Sequence, residues 1–170
     1  MVEKWNGRLE MYQALQILSV VLAAIATGLS LALVLERPGK MRLGREAYLM
    51  VQTIYAPGFV IGWLAEPLLI VATLILVAAT ESDRPAFWPT LIAFVFFVLA
   101  HAAYWAVVQP VRKFWQGEQP PAATKYLAIV AGQTPKEEWI LMRDRWEAGH
   151  RIRATLYAIG LLCLAGGISA

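Results

Sequence analysis

Cysteine is nearly absent from this sequence: Cys163 is the only one among 170 residues, so no disulfide can form within the chain. There are no paired cysteines to suggest a zinc site, no Gly-rich phosphate loop and no nucleophile signature of a hydrolase. Internal repeats and low-complexity linkers are missing too. That leaves a single domain over residues 1–170, with no ring-forming segment of the kind that builds a channel filter. Charge is scarce, at 16% of residues against 59% hydrophobic, a balance outside that of ordinary soluble domains. Histidine is scarcer still, with His101 and His150 alone.

What the chain has in abundance is long apolar runs. Leu15 to Leu35, Phe59 to Thr80, Trp88 to Val108 and Ala154 to Ile168 are free of Lys and Arg. The first three match the roughly 20 residues that a helix needs to cross a bilayer. They carry no polar stripe of the kind a surface helix shows, which argues against a soluble bundle. The first run is also too long for the apolar core of a cleaved signal peptide. The fourth run is short, and spans only if its helix starts near Arg151 or Arg153 with those side chains snorkelling to the interface. The expected fold is an all-α integral membrane four-helix bundle with interfacial or cytoplasmic helical extensions, and spans near 12–35, 59–80, 88–109 and 151–169.

Lys4, Arg8 and Arg84 fall on one side of these spans, and the other twelve of the fifteen Lys and Arg fall on the other. The bias of basic residues toward the cytoplasm then places both termini outside it, and the expected location is a bacterial inner membrane. The net charge of +3 follows from this flanking pattern, so lipid rather than nucleic acid is the expected partner.

Between the spans, Pro38 and Gly39 are expected to end the first helix. A surface helix then starts near Arg45, carries Tyr48 and Tyr55, and reaches a kink at Pro57-Gly58. Span three is expected to end near Gln109-Pro110. Pro120-Pro121 punctuates the long loop that follows, in which Tyr126 to Val130 reads as a short interfacial segment. Thr134-Pro135-Lys136-Glu137 reads as a capped helix start, from which one helix can run into span four despite Gly149. Trp5, Trp63, Trp88 and Trp115 sit where interfacial anchors are expected. Gly28, Gly62, Gly160, Gly166 and Gly167 read as helix-packing positions, as does Cys163.

Polar residues inside the spans need an explanation, because an unpaired carboxylate in lipid is costly. Glu66 lies about 10 Å into span two. His101, Tyr104, Trp105 and Gln109 fall broadly on one face of span three. Arg143, Trp146, Glu147, His150, Arg153 and Tyr157 describe one face of the last helix, and Glu36 ends span one. All four helices thus offer polar groups toward one end of the bundle.

Three readings are open for this set. A transition-metal site would draw on Glu36, Glu66, His101, Glu147 and His150, since Glu147-x-x-His150 matches one helix of a di-metal bundle. Haem would take His101 and His150 as axial ligands. A polar network would have Arg143, Arg151 or Arg153 neutralise Glu66 and Glu147. A pocket for an apolar or aromatic molecule is compatible with each, lined by Tyr104, Trp105, Gln109, Trp146, Arg153 and Tyr157.

Four segments carry a family resemblance: Leu35-Glu-Arg-Pro-Gly-Lys-Met-Arg-Leu43, Val51-Gln-x-x-Tyr55, His101-Ala-Ala-Tyr-Trp-Ala-Val-Val-Gln-Pro-Val-Arg-Lys-Phe-Trp115 and Arg145-Trp-Glu-x-x-His-x-x-Arg153. In order and placement they resemble the small four-span membrane family DUF1772, also called anthrone-oxygenase-like. The resemblance implies a membrane helical bundle and singles out Gln109-Pro110 together with Trp146, Glu147, His150 and Arg153. Some members carry His shortly before the Glu-x-Pro-Gly-Lys element, where this chain has Leu33. Some are associated with oxidation of polyketide anthrones to quinones.

The function this implies is a membrane oxidoreductase or oxygenase-like protein acting on an apolar or aromatic small molecule. His101 and His150 are the candidate bases or ligands, and Glu66 and Glu147 the groups that tune them. The alternative is a non-catalytic accessory or assembly subunit of a larger membrane complex, and the protein partners expected are a second copy of the chain or such a complex. A transporter is a third option.

Overall fold

In the computed structural model the described residues are 2–54, 59–116 and 135–169. Every element among them is helical: α1 (Val2–Lys40), α2 (Arg45–Ile54), α3 (Phe59–Ala79), α4 (Phe87–Ala103), a π-helical turn (Tyr104–Val108), α5 (Gln109–Trp115) and α6 (Pro135–Ser169). Four stretches are long and apolar enough to cross a membrane, namely Leu9–Lys40, Val60–Ala79, Phe87–Trp115 and Glu137–Ser169. Their outward faces carry large exposed apolar side chains such as Ile17, Val60, Leu68, Ile75, Val95 and Leu162. In water such a surface would be an association liability; against acyl chains it is the expected solvent-facing side. The chain is therefore an all-α four-helix bundle of the integral membrane kind.

The long helices close a ring in which α1 packs on α3 and α6, and α4 packs on α3 and α6. Neighbours run antiparallel. Tyr12, early in α1, is 2.9 Å from the hydroxyl of Thr80 just past the end of α3. Gly167, at the end of α6, lies against Thr90 and Ala86 at the start of α4. The central core is small and aliphatic, with Ala23, Ala26, Ala72, Ala93, Leu69 and Leu76 around Phe97. Small residues let helix backbones approach closely where lipid supplies no hydrophobic drive between helices. Gly160 is the extreme case: a Cβ there would stand 2.4 Å from Cε1 of Phe97. At Gly149 a Cβ would stand 2.7 Å from Cγ2 of Val108, so this glycine lets α6 close onto the π-helical turn. Around Gly28 and Gly166, read from sequence as packing positions, nothing lies within 4 Å.

Two helix ends differ from the sequence expectation, those of span one and span three. The first helix passes through Pro38 and Gly39 to Lys40, because proline in a last turn forfeits one intrahelical bond while the next turn closes normally. Met41 N–H donates to the Arg37 carbonyl at 2.9 Å and Leu43 N–H to that of Lys40 at 3.0 Å. The extra turn carries Lys40 into the interior, where it is buried. Span three likewise continues through Gln109-Pro110 to Trp115. Pro110 has no N–H to return to the Ala106 carbonyl, and Arg145 Nη2 donates to that carbonyl at 3.1 Å from α6. The last helix is continuous from Pro135 to Ser169. Arg151 is exposed, whereas Arg153 is buried and does not snorkel.

Tyr55, Pro57-Gly58, Pro120-Pro121, Tyr126 to Val130, the Thr134 cap and the Trp5 side chain lie outside the described residues. Trp63 and Trp88 face outward near span ends, as anchors do. Trp115 does not. It turns inward and packs on Trp146 with ring centroids 4.7 Å apart.

Candidate functional site

The polar residues of all four long helices gather at the end of the bundle that carries α2, in two clusters with His150 between them along α6. The buried face of α6 explains the placement. Met142, Trp146, His150, Arg153, Tyr157 and Gly160 recur at spacings of three and four and are all buried. That stripe begins beside α2 and continues unbroken into the bundle, so chemistry and packing share one face.

The deeper cluster is built on Glu66. Arg153 Nη2 donates to Glu66 Oε1, and His101 Nδ1 lies 3.3 Å from Glu66 Oε2. The indole N–H of Trp105 donates to His101 Nε2 at 3.0 Å. An indole can only donate, so Nε2 is the acceptor and the His101 proton sits on Nδ1, facing the carboxylate. The Arg153 guanidinium also lies over the rings of Tyr104 and Tyr157, at 5.2 and 5.7 Å. Glu66 is thus neutralised inside the span by a cation from the opposite side of the ring, as expected for one of the arginines named from sequence.

The π-helical turn adds a contact that α-helical spacing would not allow. A π-helical turn is closed by bonds between residues five apart, and Tyr104 Oη donates to Gln109 Oε1 five residues on, at 3.0 Å. Arg112 Nη1 then donates to Tyr104 Oη at 3.1 Å. Trp105 turns the other way, 53% exposed on the outer surface. It therefore supports His101 from the lipid side and does not line an interior pocket.

The second cluster is built on Glu147, which is 2% exposed. Its cation is Lys40, at 3.5 Å, and not one of the arginines proposed from sequence; Arg143 pairs instead with its neighbour Asp144 at 2.9 Å. Lys40 is also 3.7 Å from Glu36, one turn earlier on α1. Tyr48, the buried residue of α2, donates its phenol to Glu147 Oε1. Burial first, and then the bond to Glu147, push the Tyr48 phenol well above its ordinary value, so it stays protonated. The Tyr48 ring meets Trp115 and Trp139 edge-on, at 5.9 and 5.5 Å.

Tyr48, Lys40, Trp115 and Trp139 belong to the site although no pattern in the sequence marked them for it. The signal available was the quoted Leu35 to Leu43 segment, which contains Lys40, and the amphipathic pattern of α2. Neither reveals that a residue before the second span would reach one before the fourth.

His150 is the exception to this pairing. It is 4% exposed, its ring lies 4.6 Å from that of Trp146, and neither Nδ1 nor Nε2 has a hydrogen-bond partner among the described residues. The buried Trp146 N–H has none either. A buried polar group left unmatched costs about 1–3 kcal/mol, so His150 is not held there by the bonds it makes.

The five candidate ligands do not assemble into one donor set. Glu66 and Glu147 face different cations, and both nitrogens of His101 are engaged. Among the described residues no three His, Cys, Asp or Glu come together to hold a metal ion. The residues present do not fit the bis-histidine haem arrangement for the same reason, since His101 would have to surrender the Trp105 bond. The arrangement does supply a buried imidazole beside an indole donor, in an apolar shell, with every nearby carboxylate compensated. No family model, curated protein or solved structure matches the chain.

Proposed function

We propose that this chain is a membrane oxidoreductase of oxygenase-like type, acting on an aromatic small molecule that enters from the bilayer, with His150 as general base. The observation that carries the reading is the buried imidazole whose two ring nitrogens are unmatched while every carboxylate around it is paired. A buried base beside the Trp146 ring suits removal of a weakly acidic proton from a flat, electron-rich ring. The Trp146 N–H, without a partner among the described residues, would donate to an oxygen of the same molecule. The resemblance to the anthrone-oxygenase-like family supports the reaction class. There, one atom of dioxygen enters the deprotonated ring carbon as the quinone oxygen and the other leaves as water.

In this reading Glu66 and Glu147 position the site through Arg153, Lys40 and Tyr48 and take no proton from the substrate. The distribution of Lys and Arg supports an orientation with both termini outside the cytoplasm of a bacterial inner membrane.

The test is oxygen uptake and quinone absorbance with a hydroxylated anthrone, using the full chain in lipid nanodiscs. One dioxygen should be consumed per quinone formed, and His150→Phe should lower the rate by about 10²-fold or more. Absence of uptake by the unaltered protein, or an unchanged rate in the variant, would overturn the assignment.

A further inference from the structure

The aromatic residues of the α2 end form a continuous path. From the His150 ring the next centroid is Trp146 at 4.6 Å, then Trp115 at 4.7 Å from Trp146, then Tyr48 at 5.9 Å from Trp115. Rings this close exchange electrons far faster than most enzymes turn over. The path ends at a phenol whose O–H is already bonded to a carboxylate, Glu147. Packing alone explains why aromatic rings cluster. It does not explain why the one tyrosine among them has a buried proton acceptor in place.

We infer that Trp146, Trp115 and Tyr48 form a one-electron relay from the His150 site to the surface helix α2, with Glu147 as the base that receives the Tyr48 proton. An oxidant at the site takes one electron from Trp146, leaving an indole cation radical. Trp115 refills it, and Tyr48 refills Trp115 while its phenolic proton passes to Glu147. The products are a neutral phenoxyl radical, a carboxylic acid, and an oxidant reduced by one electron.

Tyr48 is the natural end of the path because its oxidation leaves no net charge on the ring. The phenol is held protonated, so electron loss and proton loss must occur together. The side branch through Trp139 is disfavoured, since the Arg45 guanidinium lies 5.7 Å over that ring and opposes positive charge on it. The oxidant expected in the membrane is an organic peroxyl radical, formed when a carbon radical of the oxidised aromatic molecule adds dioxygen, and it is itself reduced to the hydroperoxide anion. This choice of oxidant rests on the function proposed above. The relay itself does not.

The experiment therefore uses no substrate. The full chain in detergent is oxidised with flash-quenched ruthenium tris(bipyridine), and the radical is followed by transient absorption and electron paramagnetic resonance. The unaltered protein should trap a phenoxyl signal, slower to appear in deuterium oxide. Tyr48→Phe should leave only indole radicals. Glu147→Gln should lose most of the phenoxyl signal although the tyrosine remains, and Trp115→Phe should delay it. A phenoxyl signal undiminished in Tyr48→Phe, indole radicals alone in the unaltered protein, or indifference to both deuterium and Glu147→Gln would overturn the relay. An unchanged rate in Trp115→Phe would overturn the route. Failure of anthrone oxidation with the phenoxyl signal intact would overturn the proposed function and leave the relay standing.

Discussion

The two halves of the bundle hold the same four helices together by different means. Away from α2 the contacts are made by alanine, glycine and leucine around Phe97, with hydroxyls such as Thr73 and Thr90 turned back onto their own helix carbonyls at 2.7 Å. Toward α2 the contacts are ion pairs, ring faces and a phenol bonded to a carboxylate. The first half is stabilised by closeness and the second by charge compensation. In the second, geometry is fixed by partners, yet both nitrogens of His150 and the N–H groups of Trp115 and Trp146 are left without one among the described residues.

The largest effect is expected at Arg153. Its replacement by Ala strands the Glu66 carboxylate inside the span, and breaking a buried pair from one side costs about 3–5 kcal/mol. Denaturant or thermal unfolding in detergent should register that loss, and Glu66→Gln in the same chain should restore part of it. A loss below about 1 kcal/mol would mean that lipid-side solvation already compensates Glu66.

In the packed half the matching test is Gly160→Val. Overfilling a closed contact costs about 1–3 kcal/mol, and the damage should be relieved by Phe97→Leu, since Phe97 is the side chain in the way. Damage that persists in the double variant would point to backbone effects at Gly160.

Alkaline pH separates the halves next. Tyr48 keeps its proton in the folded chain, while in the unfolded chain it ionises near its ordinary value of about 10. The unfolded state therefore binds fewer protons above that pH, and stability falls as pH rises, by up to about 1.4 kcal/mol per pH unit. Below pH 10 this contribution is constant. Tyr48→Phe should flatten that part of the profile, whereas substitutions around Phe97 should shift the whole curve without changing its slope.

The smallest stability effect belongs to His150. It makes no hydrogen bond to lose, so His150→Leu should alter unfolding by less than about 1 kcal/mol while removing the activity proposed for the site. A large destabilisation would show that the imidazole is structural after all.

Much of this was legible along the chain. Long apolar runs without charge have one physical outcome, because a backbone in hydrocarbon must satisfy its own hydrogen bonds. The presence of Glu66, His101, Glu147 and His150 at one end also followed from span direction and helical spacing. What could not be read was pairing. Lys40 lay behind a proline and a glycine that read as a stop, yet one further turn of α1 brings it to Glu147. Arg143, Arg151 and Arg153 were equal candidates to neutralise Glu66, and only the packing of α6 shows that Arg153 is the one that meets it. The contact between Tyr104 and Gln109 depends on a π-helical turn that no residue announces.

Helical structure, apolar spans long enough to cross a membrane and the collection of costly polar groups at one end all follow from the order of the residues. Those are consequences of composition and period, which are local properties. The packed bundle settled which charge faces which. It tied His101 to Glu66 and Trp105, turned Trp115 from an expected anchor into a link between Tyr48 and Trp146, and left His150 alone. The reason is that partnership depends on helix register and ring order, which are set by how Gly149 and Gly160 let α6 close onto span three.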